Sequence, residues 1–125
     1  MLRLKNFVIA IMVSFAALAP AWATNLVMVS QPGCHWCETW EMVIGPIYPK
    51  TDIAEFAPLI HADLRQGPPE GITYARRVNF TPTFILIQDG VELARIEGYL
   101  GEDLFWMQLE KMMLDKTDFR PNSTQ

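Results

Sequence analysis

The feature that most constrains the fold is an apolar segment followed by a turn and two cysteines. Residues 25–30 (NLVMVS) form an apolar, β-branched run that predicts a buried strand, and Pro32-Gly33 predicts a turn after it. From Cys34 to Ile44 the chain contains neither Gly nor Pro, and its apolar residues recur at helical spacing. We therefore predict a strand–turn–helix unit whose helix carries both cysteines of the chain in its first turn.

The middle of the chain predicts one further strand between two helical segments. A short helix is expected over residues 47–57 and a strand over residues 58–64. Residues 65–71 (RQGPPEG) are dense in turn formers and predict a loop, after which residues 72–78 fit a short helix. The first two strands are joined through helices, so they are expected to run parallel.

The last third of the chain predicts a hairpin and a closing helix. Residues 80–88 (FTPTFILIQ) and 91–97 (VELARIE) are predicted strands, and Asp89-Gly90 between them is a strong signal for a two-residue hairpin. An amphipathic helix is predicted over residues 102–116, with these expected core contacts: Leu104, Phe105, Met107 and Met112. A parallel βαβ unit followed by a hairpin predicts an α/β fold, with a mixed central sheet of about four strands and helices on both faces.

The N-terminus has the order of features found in a secretory signal. A short positive region precedes an almost entirely apolar run over residues 7–18, and Ala21-Trp22-Ala23 ends in a small-x-small pattern. An uncleaved membrane anchor is the alternative, but the apolar run falls short of the roughly 20 residues that span a bilayer. We predict that residues 1–23 are a signal peptide cleaved after Ala23, and that residues 24–125 form a single domain.

Charge and compartment restrict the function. Losing Arg3 and Lys5 with the signal peptide reduces the 10 basic residues to 8, against 14 acidic residues, which is a net charge of −6. The only adjacent basic residues are then Arg76 and Arg77, so a nucleic-acid-binding role is not expected. A secreted chain lies in a compartment where disulfides persist. In a Gram-negative bacterium this compartment is the periplasm.

Four interpretations of Cys34 and Cys37 compete. A zinc site needs four ligands, and His35 and His61 do not supply a second ligand pair, so a metal site is disfavoured. A static disulfide across so small a loop would restrain little of the unfolded chain. Inert free thiols are not expected in an oxidising compartment. The fourth interpretation, thiol–disulfide exchange, is the one that the predicted position of the cysteines favours.

A position at the start of a helix gives the two cysteines different chemistry. Cys34 follows the turn and faces unpaired backbone N–H groups at the positive end of the helix dipole, which stabilise a thiolate. Its pKa is expected to fall below the ordinary value of about 8.5. Cys37 lies one turn further into the helix and is expected to be more buried. We predict that Cys34 attacks a partner's disulfide and that Cys37 resolves the mixed disulfide.

The order of these elements resembles the thioredoxin superfamily, in which a Cys-x-x-Cys opens the first helix after a core strand and a Thr-Pro heads a later hairpin. The resemblance covers residues 24–125. More narrowly, the segments PGCHWC, GPIYPKT, FTPTFIL and DGVELARIEGY are similar to the small periplasmic thioredoxin-like SoxS proteins of bacterial sulfur-oxidation gene clusters. The resemblance implies a thioredoxin-like three-layer α/β/α sandwich.

The resemblance also implies a task. In the SoxS group the task is to keep a cysteine of the sulfur-carrying protein complex reduced. This implies a protein partner with a cysteine or disulfide, and no cofactor beyond the Cys34–Cys37 disulfide. A membrane electron donor is expected to return the pair to its reduced state.

A second signature is Thr81-Pro82. In thioredoxin-like proteins the corresponding proline is cis and faces the cysteine pair, which implies that the backbone of Thr81 pairs with the extended chain of the partner. An ordinary trans proline at the start of an edge strand is the alternative. Thr81 and Pro82 are therefore candidate substrate-binding residues.

Two side chains between the cysteines are candidates for tuning and binding. His35 either stabilises the Cys34 thiolate or is a solvated loop residue with little effect. Trp36 is expected to be an exposed apolar contact for the partner, because a large aromatic residue in this turn has little core to enter. Trp40, by contrast, is predicted to pack in the core.

The acid that helps deprotonate the second cysteine of thioredoxin is missing, since its position holds Met28. Glu41 lies one turn after Cys37 and is a candidate for this proton transfer. The alternative for Glu41 is a solvated helix charge, which is the more common role of such a residue. His61, in a predicted strand, is interpreted as a structural histidine.

Reduction of a protein partner is the leading prediction, and two others stay open. A disulfide-forming oxidant would use the same cysteines at a higher reduction potential. A threonine before the proline, here Thr81, resembles the pattern of the reducing and isomerising members of the superfamily more than that of the dedicated oxidant. A non-catalytic binding module would hold a partner or metal on the surface around Trp36 and Thr81, and its cysteines would not undergo reversible oxidation.

Overall fold

The protein is described by a computed structural model over residues 23–122, so residues 1–22 of the predicted signal peptide lie outside the described residues. The elements are β1 (Thr24–Ser30), α1 (His35–Val43), α2 (Asp52–Phe56), β2 (Leu59–Asp63), β3 (Thr83–Gln88), β4 (Val91–Glu97) and α3 (Glu102–Lys116), with short 3₁₀ turns at Tyr48–Lys50 and Leu64–Gln66. The four predicted strands are confirmed, as are the predicted helices over residues 34–44, 47–57 and 102–116.

The sheet is mixed, with the strand order β2-β1-β3-β4. β1 pairs in parallel with β2 and antiparallel with β3, and β3 and β4 form an antiparallel hairpin. Asp89 and Gly90 turn this hairpin with φ values of 52° and 78°, the positive values that a type I′ turn requires. The predicted mixed four-stranded sheet is confirmed. Because β1 and β2 are parallel, their carboxyl ends, Ser30 and Asp63, lie at the same end of the sheet.

All three helices pack on one face of the sheet. Alternate residues of the two central strands point to this face, Leu26 and Met28 from β1 and Phe84 and Leu86 from β3. The helices complete the core with Cys37, Trp40, Ile44, Ile53, Phe105, Leu109 and Met113. Each fully buried apolar side chain of this size contributes about 1.5–3 kcal/mol of transfer free energy. This core fixes α1, and with it the two cysteines, against the carboxyl end of β1. No helix within residues 23–122 is both long and apolar enough to cross a membrane.

The buried side of α3 differs from the predicted one. Phe105 and Met112 are buried and Leu104 is partly buried, but Met107 is 60% exposed, so its prediction as a core contact is wrong. Leu109 is buried instead. Positions 105, 109 and 112 lie on one side of a helix with 3.6 residues per turn, whereas position 107 points about 200° away from position 105.

The helix predicted over residues 72–78 is wrong. This segment is irregular and touches the sheet through an isolated parallel bridge between Thr73 and Val91. The Thr73 N–H donates to the Gly90 carbonyl at 2.7 Å, and the Glu92 N–H donates to the Thr73 carbonyl at 3.1 Å. These contacts with β4 occupy backbone groups that a helix would pair within itself. Irregular chain, with Val78 buried against β1 and β3, therefore covers the face of the sheet opposite the helices. The predicted α/β fold with a mixed sheet is confirmed, but the prediction of helices on both faces is wrong for residues 23–122, because the 3₁₀ turn Leu64–Gln66 and this irregular chain form the third layer.

Candidate active site

The two cysteines lie at the N-terminus of α1 and are joined by a disulfide with an S–S distance of 2.09 Å. Gly33 before them has a φ of 77°, a backbone conformation that favours glycine, and it lets the chain turn sharply out of β1. Cys34 is the N-cap residue of α1 in an extended conformation, and the Cys37 N–H donates to Cys34 Sγ at 3.2 Å. One of the unpaired N–H groups of the helix is therefore directed at the Cys34 sulfur.

The two sulfurs differ in access and in electrostatic environment. Cys37 is only 4% exposed and belongs to the helical core, whereas Cys34 is partly exposed. After reduction, the Cys37 N–H and the positive end of the helix would favour a thiolate on Cys34. Burial without such donors disfavours a thiolate on Cys37. The arrangement supports one accessible nucleophile and one sheltered resolving cysteine.

The Thr81–Pro82 peptide bond is cis, and the loop that carries it lies beside the cysteine turn. The Gln31 side-chain amide donates to Thr81 Oγ1 at 2.9 Å, which links the residues before Cys34 to this loop. The Gly98 N–H donates to the Pro82 carbonyl at 2.7 Å. Gln31 was not among the predicted site residues, because its role depends on a partner 50 positions away in the sequence.

A groove of about 470 Å³ runs along this loop, lined by Trp36, Thr39, Thr81, Pro82 and residues 98–101. The structure thus brings together Trp36, Thr81 and Pro82, the three residues predicted to bind a partner. Trp36 is 57% exposed and Leu100 is 81% exposed, so the rim of the groove is apolar and accessible. Residues 98–101 (GYLG) were missed as site residues; two glycines flanking apolar residues directly after a strand were the available signal.

The other candidates lie near the cysteines but contact different groups. The His35 ring packs edge-on against the Trp36 ring, with centroids 5.1 Å apart, and is solvent-exposed. Glu41 Oε1 lies 2.6 Å from His61 Nε2 of β2, and both side chains are about half exposed. His61 is therefore hydrogen-bonded, as expected of a structural histidine. Glu41, the candidate for proton transfer, has this histidine as its hydrogen-bond partner.

Within residues 23–122, no three His, Cys, Asp or Glu side chains lie close enough together to hold a metal ion. The fold and the Cys-x-x-Cys disulfide define a thiol–disulfide oxidoreductase of the thioredoxin type.

Comparison with solved structures agrees with this class. The periplasmic thioredoxin SoxS from Paracoccus pantotrophus, solved in its reduced form, matches with 44% sequence identity and a TM-score of 0.70, over 72% of this chain and 95% of that one. A thioredoxin from Malassezia sympodialis matches with 14% identity and a TM-score of 0.50, over 74% of this chain and 76% of that one, and shows the fold alone. No protein-family model and no curated protein sequence matches. The chain belongs to the SoxS-like thioredoxins of the thioredoxin superfamily.

Proposed function

We propose that this protein is a periplasmic reductase that keeps a cysteine of a protein partner reduced. The observation that carries the proposal is the pairing of an accessible Cys34 at a helix N-terminus with a buried Cys37, beside a groove with an apolar rim. The similarity to the periplasmic thioredoxin SoxS supports the compartment. It also supports a partner from the sulfur-carrying complex of sulfur oxidation.

The proposed cycle is two successive thiol–disulfide exchanges. The Cys34 thiolate attacks the disulfide sulfur on the partner, forms a mixed disulfide and expels the first thiolate, which takes up a proton. Cys37 then loses its proton and attacks the Cys34 sulfur, and the partner leaves as the second thiol. Two electrons pass to the partner, and the protein is left with the Cys34–Cys37 disulfide that the structure contains. A membrane electron donor would then reduce this disulfide again.

The groove residues are proposed to hold the partner during exchange. The backbone of Thr81, before the cis Pro82, would pair with an extended segment that carries the target sulfur. Trp36 and Leu100 on the rim would contact apolar side chains of that segment. This docking edge is proposed to favour protein substrates over small disulfides.

Export to the proposed compartment is proposed to include removal of residues 1–23. β1 begins at Thr24, so cleavage after Ala23 would leave every described strand and helix intact. The mass of the secreted protein is expected to correspond to residues 24–125. A mass that still includes residues 1–23 would contradict the proposed processing.

The direction of electron flow can be tested with a peptide whose single cysteine is joined by a disulfide to one molecule of the amino acid cysteine. The reduced protein, mixed with an equal amount of this peptide, is expected to release the peptide thiol almost completely and to become oxidised. Because each exchange releases two thiols, dilution favours release, so about 10 mM of each component is used; at this concentration a strong oxidant, whose reduced form is stabilised, would leave most of the peptide disulfide intact. That result would contradict the proposed direction. The C34S/C37S variant is the control and is expected to release no thiol.

A further inference from the structure

A buried ion pair lies outside the cysteine site, in β4. The side chains of Glu92 and Arg95 are each only 5% exposed, and Arg95 Nε donates to Glu92 Oε1 at 2.6 Å. Arg95 Nη2 donates to Glu92 Oε2 at 2.8 Å, which makes the contact bidentate. A buried ion pair of this kind often adds little stability relative to apolar residues of similar size. The groups that the pair orients therefore indicate its role.

Both members of the pair also bind the irregular segment that replaces the expected helix. Arg95 Nη2 donates to the Arg76 carbonyl at 2.8 Å and Arg95 Nη1 to the Arg77 carbonyl at 3.3 Å. The Ala75 N–H donates to Glu92 Oε2 at 2.6 Å. The planar guanidinium fork can meet a carboxylate and two carbonyls at once, which a lysine ammonium cannot do with the same geometry.

The segment that the pair anchors leads directly into the cis-proline loop. Only residues 78–80 separate the anchored Arg77 carbonyl from Thr81, and Val78 among them is buried against the sheet. On the other side of the loop, the Thr83 hydroxyl donates to the Phe80 carbonyl at 2.7 Å. Without a helix in residues 72–78, side-chain anchors of this kind must hold the backbone before Thr81 in one conformation.

We propose that Glu92 and Arg95 are positioning residues, which hold residues 75–77 so that the Thr81 backbone is presented to the extended chain of the partner. This inference rests on the docking role proposed for Thr81. This ion pair on β4, which is remote in sequence from both cysteines, would therefore contribute to substrate binding. The pair acts through the loop, so it is expected to affect peptide substrates and to leave the reactivity of Cys34 unchanged.

The test compares two disulfides, the cysteinylated peptide described above and cystine, which has no extended chain to pair with Thr81. The second-order rate constant for the peptide, divided by the rate constant for cystine, reports the docking contribution. In R95M/E92M, where both charges are removed together, the ratio is expected to fall about tenfold, the loss of roughly one well-formed hydrogen bond. The rate with cystine is expected to be unchanged. Faster hydrogen exchange in residues 73–82 is expected to accompany the change.

R65M is the matched control, since Arg65 lies in the neighbouring 3₁₀ turn and its side chain, among residues 23–122, pairs only with Asp63 at the surface, with 64% of the side chain exposed. It is expected to keep the wild-type ratio. R95K, which retains the charge without the fork, is expected to give an intermediate ratio and serves if the double variant does not fold. An unchanged ratio in folded R95M/E92M or in R95K would overturn the inference, as would a fall in the cystine rate. A wild-type protein that reduces neither disulfide would instead contradict the proposed function itself.

Discussion

Replacing Cys37 by serine is expected to abolish turnover and to leave the protein covalently attached to its partner. Cys34 keeps its partly exposed position and its N–H donor at the helix N-terminus, so the first exchange still occurs. Serine cannot displace the partner's thiol from the Cys34 sulfur, so the mixed disulfide persists. C37S, expressed in its native compartment, is expected to give a new band on a non-reducing gel that disappears with reductant. Mass spectrometry of this band identifies the partner.

C34S is the matched control for the trap. Its remaining thiol on Cys37 is buried, with only 4% of the residue exposed, so we expect no covalent complex. One trapped protein with a reactive cysteine, from the sulfur-carrying complex, is the expected result. A ladder of many unrelated secreted proteins would indicate a general folding catalyst. Absence of any complex when the sulfur-oxidation proteins are present would contradict the proposed partner.

Replacing Trp40 by alanine is expected to be the most destabilising single change in the core. Trp40 is fully buried, and its ring centroid lies 5.2 Å from that of Phe84 and 5.6 Å from that of Phe105. It therefore joins α1 to β3 and α3 at one point. Loss of a buried tryptophan costs about 3–5 kcal/mol, a large part of the stability of a small domain. Urea unfolding followed by circular dichroism measures the change in free energy.

W36A provides a control with the same chemical change at the surface. Trp36 lies four residues earlier, on the rim of the groove, and is 57% exposed. Its loss is expected to change the free energy of unfolding by less than about 0.5 kcal/mol, while the rate with the peptide disulfide falls. Similar destabilisation by W36A and W40A would contradict the division into a core tryptophan and a docking tryptophan.

The elements around the site were predictable because their signals are local. The apolar run before Cys34, the Pro32-Gly33 turn and the Gly- and Pro-free segment up to Ile44 together specify β1 and α1. Asp89-Gly90 specifies the hairpin in the same way. Since the cysteines and Thr81-Pro82 are attached to these elements, the centre of the candidate site followed from short stretches of sequence.

The incorrect and missing predictions depend on contacts that are distant in the sequence. Residues 72–78 contain no turn-forming residues, so their sequence predicts a helix. In the structure, Arg95 and Glu92 bind backbone groups of this segment from 17 to 19 positions away. Helix propensity alone does not decide whether such a segment forms a helix or is held in an irregular conformation by distant side chains. Gln31 and Glu41 are similar cases, because their partners Thr81 and His61 are brought near only by the assembled sheet and helix.

The central claim, that Cys34 and Cys37 form a reducing redox pair, is tested most directly by the equilibrium reduction potential of the protein. Purified protein is equilibrated in a series of thiol–disulfide buffers, and the free thiols are alkylated and counted by intact mass. We expect one reversible two-electron transition between dithiol and disulfide, with a midpoint nearer to about −270 mV than to about −120 mV. A midpoint near about −120 mV, the value of a strong protein oxidant, would contradict the reducing direction. Absence of any reversible oxidation would contradict the assignment of a redox pair altogether.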